Sequence, residues 1–166
     1  MRSGMIALVG VLVVGGSMFA RSQGGTSPQG VWRVSEVVTT GANASANKNP
    51  QPGLYIFTKQ HYSIISVGGT APRTSPAAPK DPANLTDAEK LARYEAWDPF
   101  TANAGTYKIS GSTLSTQPLV AKNPSVMSRP ASTREFTIAG NTMTLIQKSA
   151  AGQPASETRT TLTRVE

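Results

Sequence analysis

Cysteine is absent from this 166-residue sequence, and histidine occurs once. The first absence excludes a disulfide scaffold, a thiolate metal site and a lipid-modified cysteine, and the second excludes a two-histidine metal site. Acidic residues number only nine, and five of them (Asp81, Asp87, Glu89, Glu95 and Asp98) fall in one short stretch, so paired carboxylates for acid–base work are scarce elsewhere. No G-x-S-x-G elbow and no phosphate-binding glycine loop occurs. The one histidine, His61, sits at a predicted hairpin, where a solvated imidazole is expected rather than a general base. These gaps argue against an enzyme, name no catalytic residue and call for no metal or cofactor. A chain of this length without disulfides depends on one well-packed core, and one domain is expected.

Basic residues outnumber acidic ones and give a formal charge of +7. They are scattered along the chain without a cluster and without interleaved aromatics, which points to solubility rather than to a nucleic-acid partner. The longest apolar run, Met5 to Phe19, follows Arg2 and precedes Ala20-Arg21-Ser22, an A-x-S cleavage site before Gln23. Residues 1–22 are therefore expected to be a secretory signal, and 23–29 a linker. The run is shorter than the ~20 apolar residues a membrane span requires, and Gly10, Gly15 and Gly16 interrupt it. Cleavage would remove Arg2 and Arg21, leave a charge of +5 and deliver a periplasmic or secreted protein without a membrane span.

The remainder, 30–166, is dominated by two-period apolar patterning. Strands are expected at Val31–Val38, Leu54–Thr58, Tyr62–Val67, Gly105–Ile109, Thr113–Val120, Thr133–Ile138, Thr142–Gln147 and Thr158–Val165. An insert at 68–98 breaks the series. Its first part, Gly68 to Asn84, contains Pro72, Pro76, Pro79 and Pro82 and reads as an extended surface loop. Thr86-Asp87-Ala88-Glu89 then forms a capping box that starts a helix, and Asp98-Pro99 stops it. Connections are otherwise too short for parallel crossovers, so the fold class is all-β with one inserted helix: an eight-stranded, antiparallel, up-and-down barrel.

Several of these residues resemble a known family. Gly30-Val31-Trp32, Gly53-Leu54-Tyr55-Ile56-Phe57-Thr58, Gly105-Thr106-Tyr107 and Thr163-Arg164-Val165-Glu166 look like the bacterial lipocalin-like domain family. The resemblance spans 30–166 and implies a calycin-type barrel, a fold that in related groups holds small apolar molecules. It also implies a structural closure in which Gly30 frees the first turn, Trp32 plugs one end and Arg164 covers the indole. The predicted helix departs from the lipocalin pattern, since it lies between the third and fourth strands rather than after the barrel.

Two sets of residues are candidates for ligand binding. Strict alternation places Glu36 on the face of Trp32 and Val34, where it is expected to anchor a ligand head group unless a bulge or the rim gives it water or an arginine such as Arg134 or Arg159 pairs with it. The aromatics Tyr55, Phe57, Tyr62, Tyr107 and Phe136 are expected either to line a pocket or to fill the barrel. Leu54-Tyr55-Ile56-Phe57 is apolar on both faces, which predicts that the inserted helix covers its outer side. The resulting expectation is a module that binds a small, mostly apolar ligand, with an isomerase or hydrolase of a lipid-like substrate and a filled-core interaction protein as alternatives.

Overall fold

The structure is a computed structural model in which residues 27–166 are described; the expected signal, 1–22, and the first four residues of the linker lie outside them. Nine strands form one antiparallel sheet: β1 (Gly30–Gly41), β2 (Ser45–Asn47), β3 (Gly53–Phe57), β4 (His61–Val67), β5 (Phe100–Ser110), β6 (Thr113–Ala121), β7 (Ser132–Ala139), β8 (Thr142–Lys148) and β9 (Ser156–Arg164). β1 pairs with β3 on one side and β9 on the other, which closes eight strands into a barrel. The unpredicted β2 is a three-residue strip beside the far half of β1, pairing Val37–Thr39. Two helices complete the chain, α1 (Asp87–Trp97) and α2 (Pro124–Met127). None of the helices among the described residues is long and apolar enough to cross a membrane.

Thr86 caps α1 as its sequence requires: its hydroxyl accepts the Glu89 amide at 3.3 Å, while the Glu89 carboxylate accepts the Thr86 amide at 2.8 Å. The helix does not cover β3. No residue of α1 is buried, and Leu54 and Ile65, paired on the outer face of β3 and β4, stay 42% and 41% exposed. The reason is in the helix itself, whose apolar residues Leu91, Tyr94 and Trp97 are too few among charged neighbours to form a burying face. It is tethered instead near the start of β5, through Lys122 donating to the carbonyls of Trp97 and Asp98 and through packing of Trp97 on Phe100.

The barrel has a packed base and a wider mouth. Trp32, Phe57, Tyr62, Ile64, Leu114, Phe136, Met143, Leu145 and Leu162 form the buried core, at the middle of their strands or in the halves nearest the Trp32 end. Towards the other end the inward face turns polar on strand after strand. On β7 the inward series runs Ile138, Phe136, Arg134, Ser132; on β8, Met143, Leu145, Gln147; on β9, Leu162, Thr160, Thr158. β6 and β7 pair only through Thr113–Thr116, and beyond Thr116 the wall parts. There α2 and the segment to Pro130 occupy the gap.

Candidate functional site at the barrel mouth

Two bulges set which side chains reach the interior. In β1 the register against β9 shifts between Val34 and Glu36: Val34 opposes buried Leu162, whereas Glu36 opposes Thr161, whose side chain alternates to the outer face. The extra residue, Ser35, donates its hydroxyl to the Thr161 carbonyl at 3.0 Å. Glu36 therefore does not share the face of Trp32 and Val34, and strict alternation fails because one inserted residue inverts it. The second bulge lies where β5 meets β6, with Ala104 opposite Val120 and Gly105 opposite Pro118. A side chain on Gly105 would collide with the Gln117 backbone, so glycine permits the close approach of the two strands at the bulge, where Pro118 continues the inward series of Leu114 and Thr116 and Leu119 is the extra residue.

A half-open cavity of about 310 Å³ sits above the apolar base. Six strands, β3 to β8, contribute to its wall, and Val126, Arg129 and Pro130 form its rim. Its floor includes Tyr55, Tyr62 and Ile64, and its upper wall is polar, with Asn103, Thr116, Arg134 and Gln147. Of the residues expected to bind a ligand, the structure brings together Tyr55 and Tyr62. Phe57 and Phe136 are buried in the base beneath, and Tyr107 packs edge-on against Phe57 at 5.4 Å while its hydroxyl donates to the Thr58 carbonyl at 2.7 Å. His61 is exposed at the start of β4; its carbonyl accepts the Thr58 amide at 2.8 Å and its amide donates to the Thr58 hydroxyl at 3.2 Å.

The interior was expected to be aromatic, with Arg134 or Arg159 as a partner for an inward Glu36; the structure places Arg134 at the cavity without that carboxylate. Arg134 is inward, opposite Leu114 on β6 and level with Gln147 on β8. Its Nε donates to Gln147 Oε1 at 3.1 Å. The signal was present in the alternation of Arg134, Phe136 and Ile138 along one strand face. Arg129 joins it at the rim, and no carboxylate lines the cavity. Among the described residues Arg134 forms no ion pair; the three that exist are Lys90–Asp87, Lys148–Glu135 and Arg159–Glu157.

The two phenols respond to this environment. Burial pushes the Tyr55 and Tyr62 hydroxyls above the ordinary phenol range, and the positive charge of Arg134 pulls both partly back. Both stay protonated at neutral pH and act as hydrogen-bond donors. The Tyr62 hydroxyl is buried and forms no well-aligned hydrogen bond within the protein; Thr116, the hydroxyl beside it in the wall, donates to the Ser132 carbonyl at 3.3 Å and also helps to pull the Tyr62 pKa back. A larger groove of about 520 Å³ runs along β7 and β8, where Arg134 and Gln147 are again lining residues and Lys148 and Glu135 contact each other at 2.9 Å. Among the described residues no group of three or more metal-ligating side chains comes together.

No protein-family model and no curated protein matches this sequence. Among solved structures, an uncharacterized protein from Bacteroides eggerthii is similar in shape, with a TM-score of 0.44 at 10% identity, covering 82% of this chain and 98% of that one. A likeness that slight carries no functional argument, and the barrel rests on its own strand order and closure.

Proposed function

We propose that this chain is an exported, lipocalin-like binding protein that takes a small molecule into the mouth of its barrel. The observation that carries the reading is the cavity above a solid apolar base, with Tyr62, whose buried hydroxyl forms no well-aligned hydrogen bond, in its floor. Proteins leave few buried polar groups unpaired, and such a group in a concave site fits a ligand acceptor. The volume is near the lower bound for small-molecule pockets, roughly 300 Å³, so the ligand is small. Residues 1–22 support export to the periplasm or the cell exterior by their charge, apolar run and cleavage site. Glu36, the candidate acid or base of an enzymatic reading, lies on the outer wall and cannot touch a molecule in the mouth.

The test fills the site. Ser66 lines the cavity from β4, and Ser66→Phe would occupy much of it without disturbing the base. A calorimetric screen of small organic molecules against the protein and this variant is expected to find ligands for the first that the second, with an unchanged circular dichroism spectrum, binds at least tenfold more weakly. Equal binding by the two would reject the mouth as the site.

A further inference from the structure

The charge balance of the cavity says more about its occupant than its shape does. Arg134 is held in the interior by its strand position and by the Nε hydrogen bond to Gln147, which engages one of the guanidinium's N–H donors. The terminal nitrogens donate to no protein acceptor among the described residues. Arg129 adds a second positive side chain to the same wall, and no Asp or Glu lines it. Beneath them Tyr62 offers a buried O–H that forms no well-aligned hydrogen bond. The charged groups that line the cavity are thus both cations, and neither has an anionic partner among the described residues. A neutral, mostly apolar molecule would leave the terminal donors of Arg134 and the Tyr62 hydroxyl unmatched, which is unfavourable once water is expelled.

We infer that the ligand is a small organic anion, whose acidic group is received by the terminal nitrogens of Arg134 and by the Tyr62 hydroxyl, with its apolar body against Ile64, Pro118 and Val126. This rests on the mouth being the binding site and narrows what binds there. The polarity fits the chemistry of the donors: a guanidinium whose Nε is engaged still presents two parallel N–H bonds from its terminal nitrogens, a geometry suited to the two oxygens of a carboxylate. The apolar residues named are cavity walls from β4, β6 and α2, so body and head group are held by different elements. Arg129, exposed at the rim, serves to attract the anion rather than to fix it.

Benzoate and benzamide, nearly equal in shape and opposite in charge state, separate the possibilities. Amide-resolved NMR titrations at neutral pH are expected to show benzoate binding at least tenfold more tightly than benzamide, with shifts centred on Asn103, Thr116 and Gln147. Arg134→Gln should abolish that preference, Arg134→Lys should keep part of it, and Tyr62→Phe should weaken benzoate several-fold more than benzamide. Arg129→Gln should mainly flatten the salt dependence. Equal binding of the two probes, both blocked by Ser66→Phe, would overturn the anion inference while leaving the mouth as the site. Binding that Ser66→Phe does not affect, or no binding of either probe, would overturn both. Because Arg134→Gln leaves the apolar base untouched, a folded variant that still prefers benzoate would also defeat the inference.

Discussion

The guanidinium of Arg164 lies 4.1 Å from the centroid of the Trp32 ring, and the two residues are direct cross-strand partners where β1 and β9 close the barrel. The contact is part of a small cage. Trp32 Nε1 donates to the Pro28 carbonyl at 2.7 Å, and Arg164 Nη1 donates to the Gln29 carbonyl at 2.8 Å. Gly30 sits between them at φ +125°, where an added Cβ would strike the Glu166 carbonyl and the Arg164 guanidinium. Arg164→Ala removes the cation–π contact and leaves the Gln29 carbonyl without this donor, which should lower stability by about 1–3 kcal/mol. Urea unfolding checks this, with Arg164→Lys recovering part of the loss. Benzoate affinity should not change, because the cage closes the end opposite the mouth.

Glu36→Gln is expected to be nearly silent. The bulge at Ser35 sends the side chain to the outer face opposite Thr161, where no ion partner holds it. A surface substitution of this kind changes stability by about 0.5 kcal/mol or less. Deleting Ser35, by contrast, removes the bulge and its hydroxyl bond to the Thr161 carbonyl while leaving Glu36 outward opposite Thr161, and should cost about 1–2 kcal/mol if the bulge is needed for the closure of β1 on β9. Chemical denaturation of the two variants distinguishes a bulge that sets the register from one that is incidental.

The contrast between Glu36 and Arg134 shows what patterning can deliver. Alternation identified the eight barrel strands, their antiparallel order and the capped helix at Thr86, because each depends on contacts within a few residues. The same rule applied to Glu36 failed, since nothing within β1 announces that Ser35 is unpaired against β9; that is a property of a strand 120 residues away. Arg134 was legible as a neighbour of Phe136 on one face, but the value of that face depended on knowing that β7 is inward and that its upper half has no acidic partner. β2 and α2 are too short to carry a period. The exposed apolar residues of α1 misled in the other direction, suggesting a cover for β3 that three side chains are unable to provide.

The buried phenols make stability depend on alkaline pH. Burial raises the Tyr55 and Tyr62 pKa above the reference value of 10.0. In that case the unfolded chain loses its phenolic protons before the folded one does. Their contribution is thus fully present below pH 10 and is lost as pH rises through the higher folded value. Urea midpoints should therefore be insensitive to these groups around neutrality and fall above pH 10. In Tyr55→Phe the alkaline fall should be shallower than in the parent protein, measured at matched ionic strength so that lysine titration is common to both.

Thr86→Ala should loosen α1 without unfolding the barrel. The threonine hydroxyl accepts the Glu89 amide and donates to the Glu89 carboxylate at 2.7 Å, so the substitution removes both contacts, an N-cap loss of about 1 kcal/mol for the helix. The helix buries no side chain, and for that reason the loss stays local. Hydrogen exchange is expected to accelerate several-fold for amides in Asp87–Trp97, while those of β1 and β9 keep their protection and the global urea midpoint does not move. The same cap carries an acid sensitivity of known sign. Hydrogen bonds from the Thr86 hydroxyl and backbone, and from the Lys80 amide, hold the Glu89 carboxylate below the usual range. Their support of the helix is present above the unfolded value of 4.5 and disappears as pH falls through the lower folded one. Exchange in α1 should accordingly quicken, relative to the intrinsic rate, in the acid range for the parent protein, and much less so for Thr86→Ala, whose cap is already broken. Uniform loss of protection across α1 and the barrel strands in that variant would show instead that the helix and the barrel unfold as one unit.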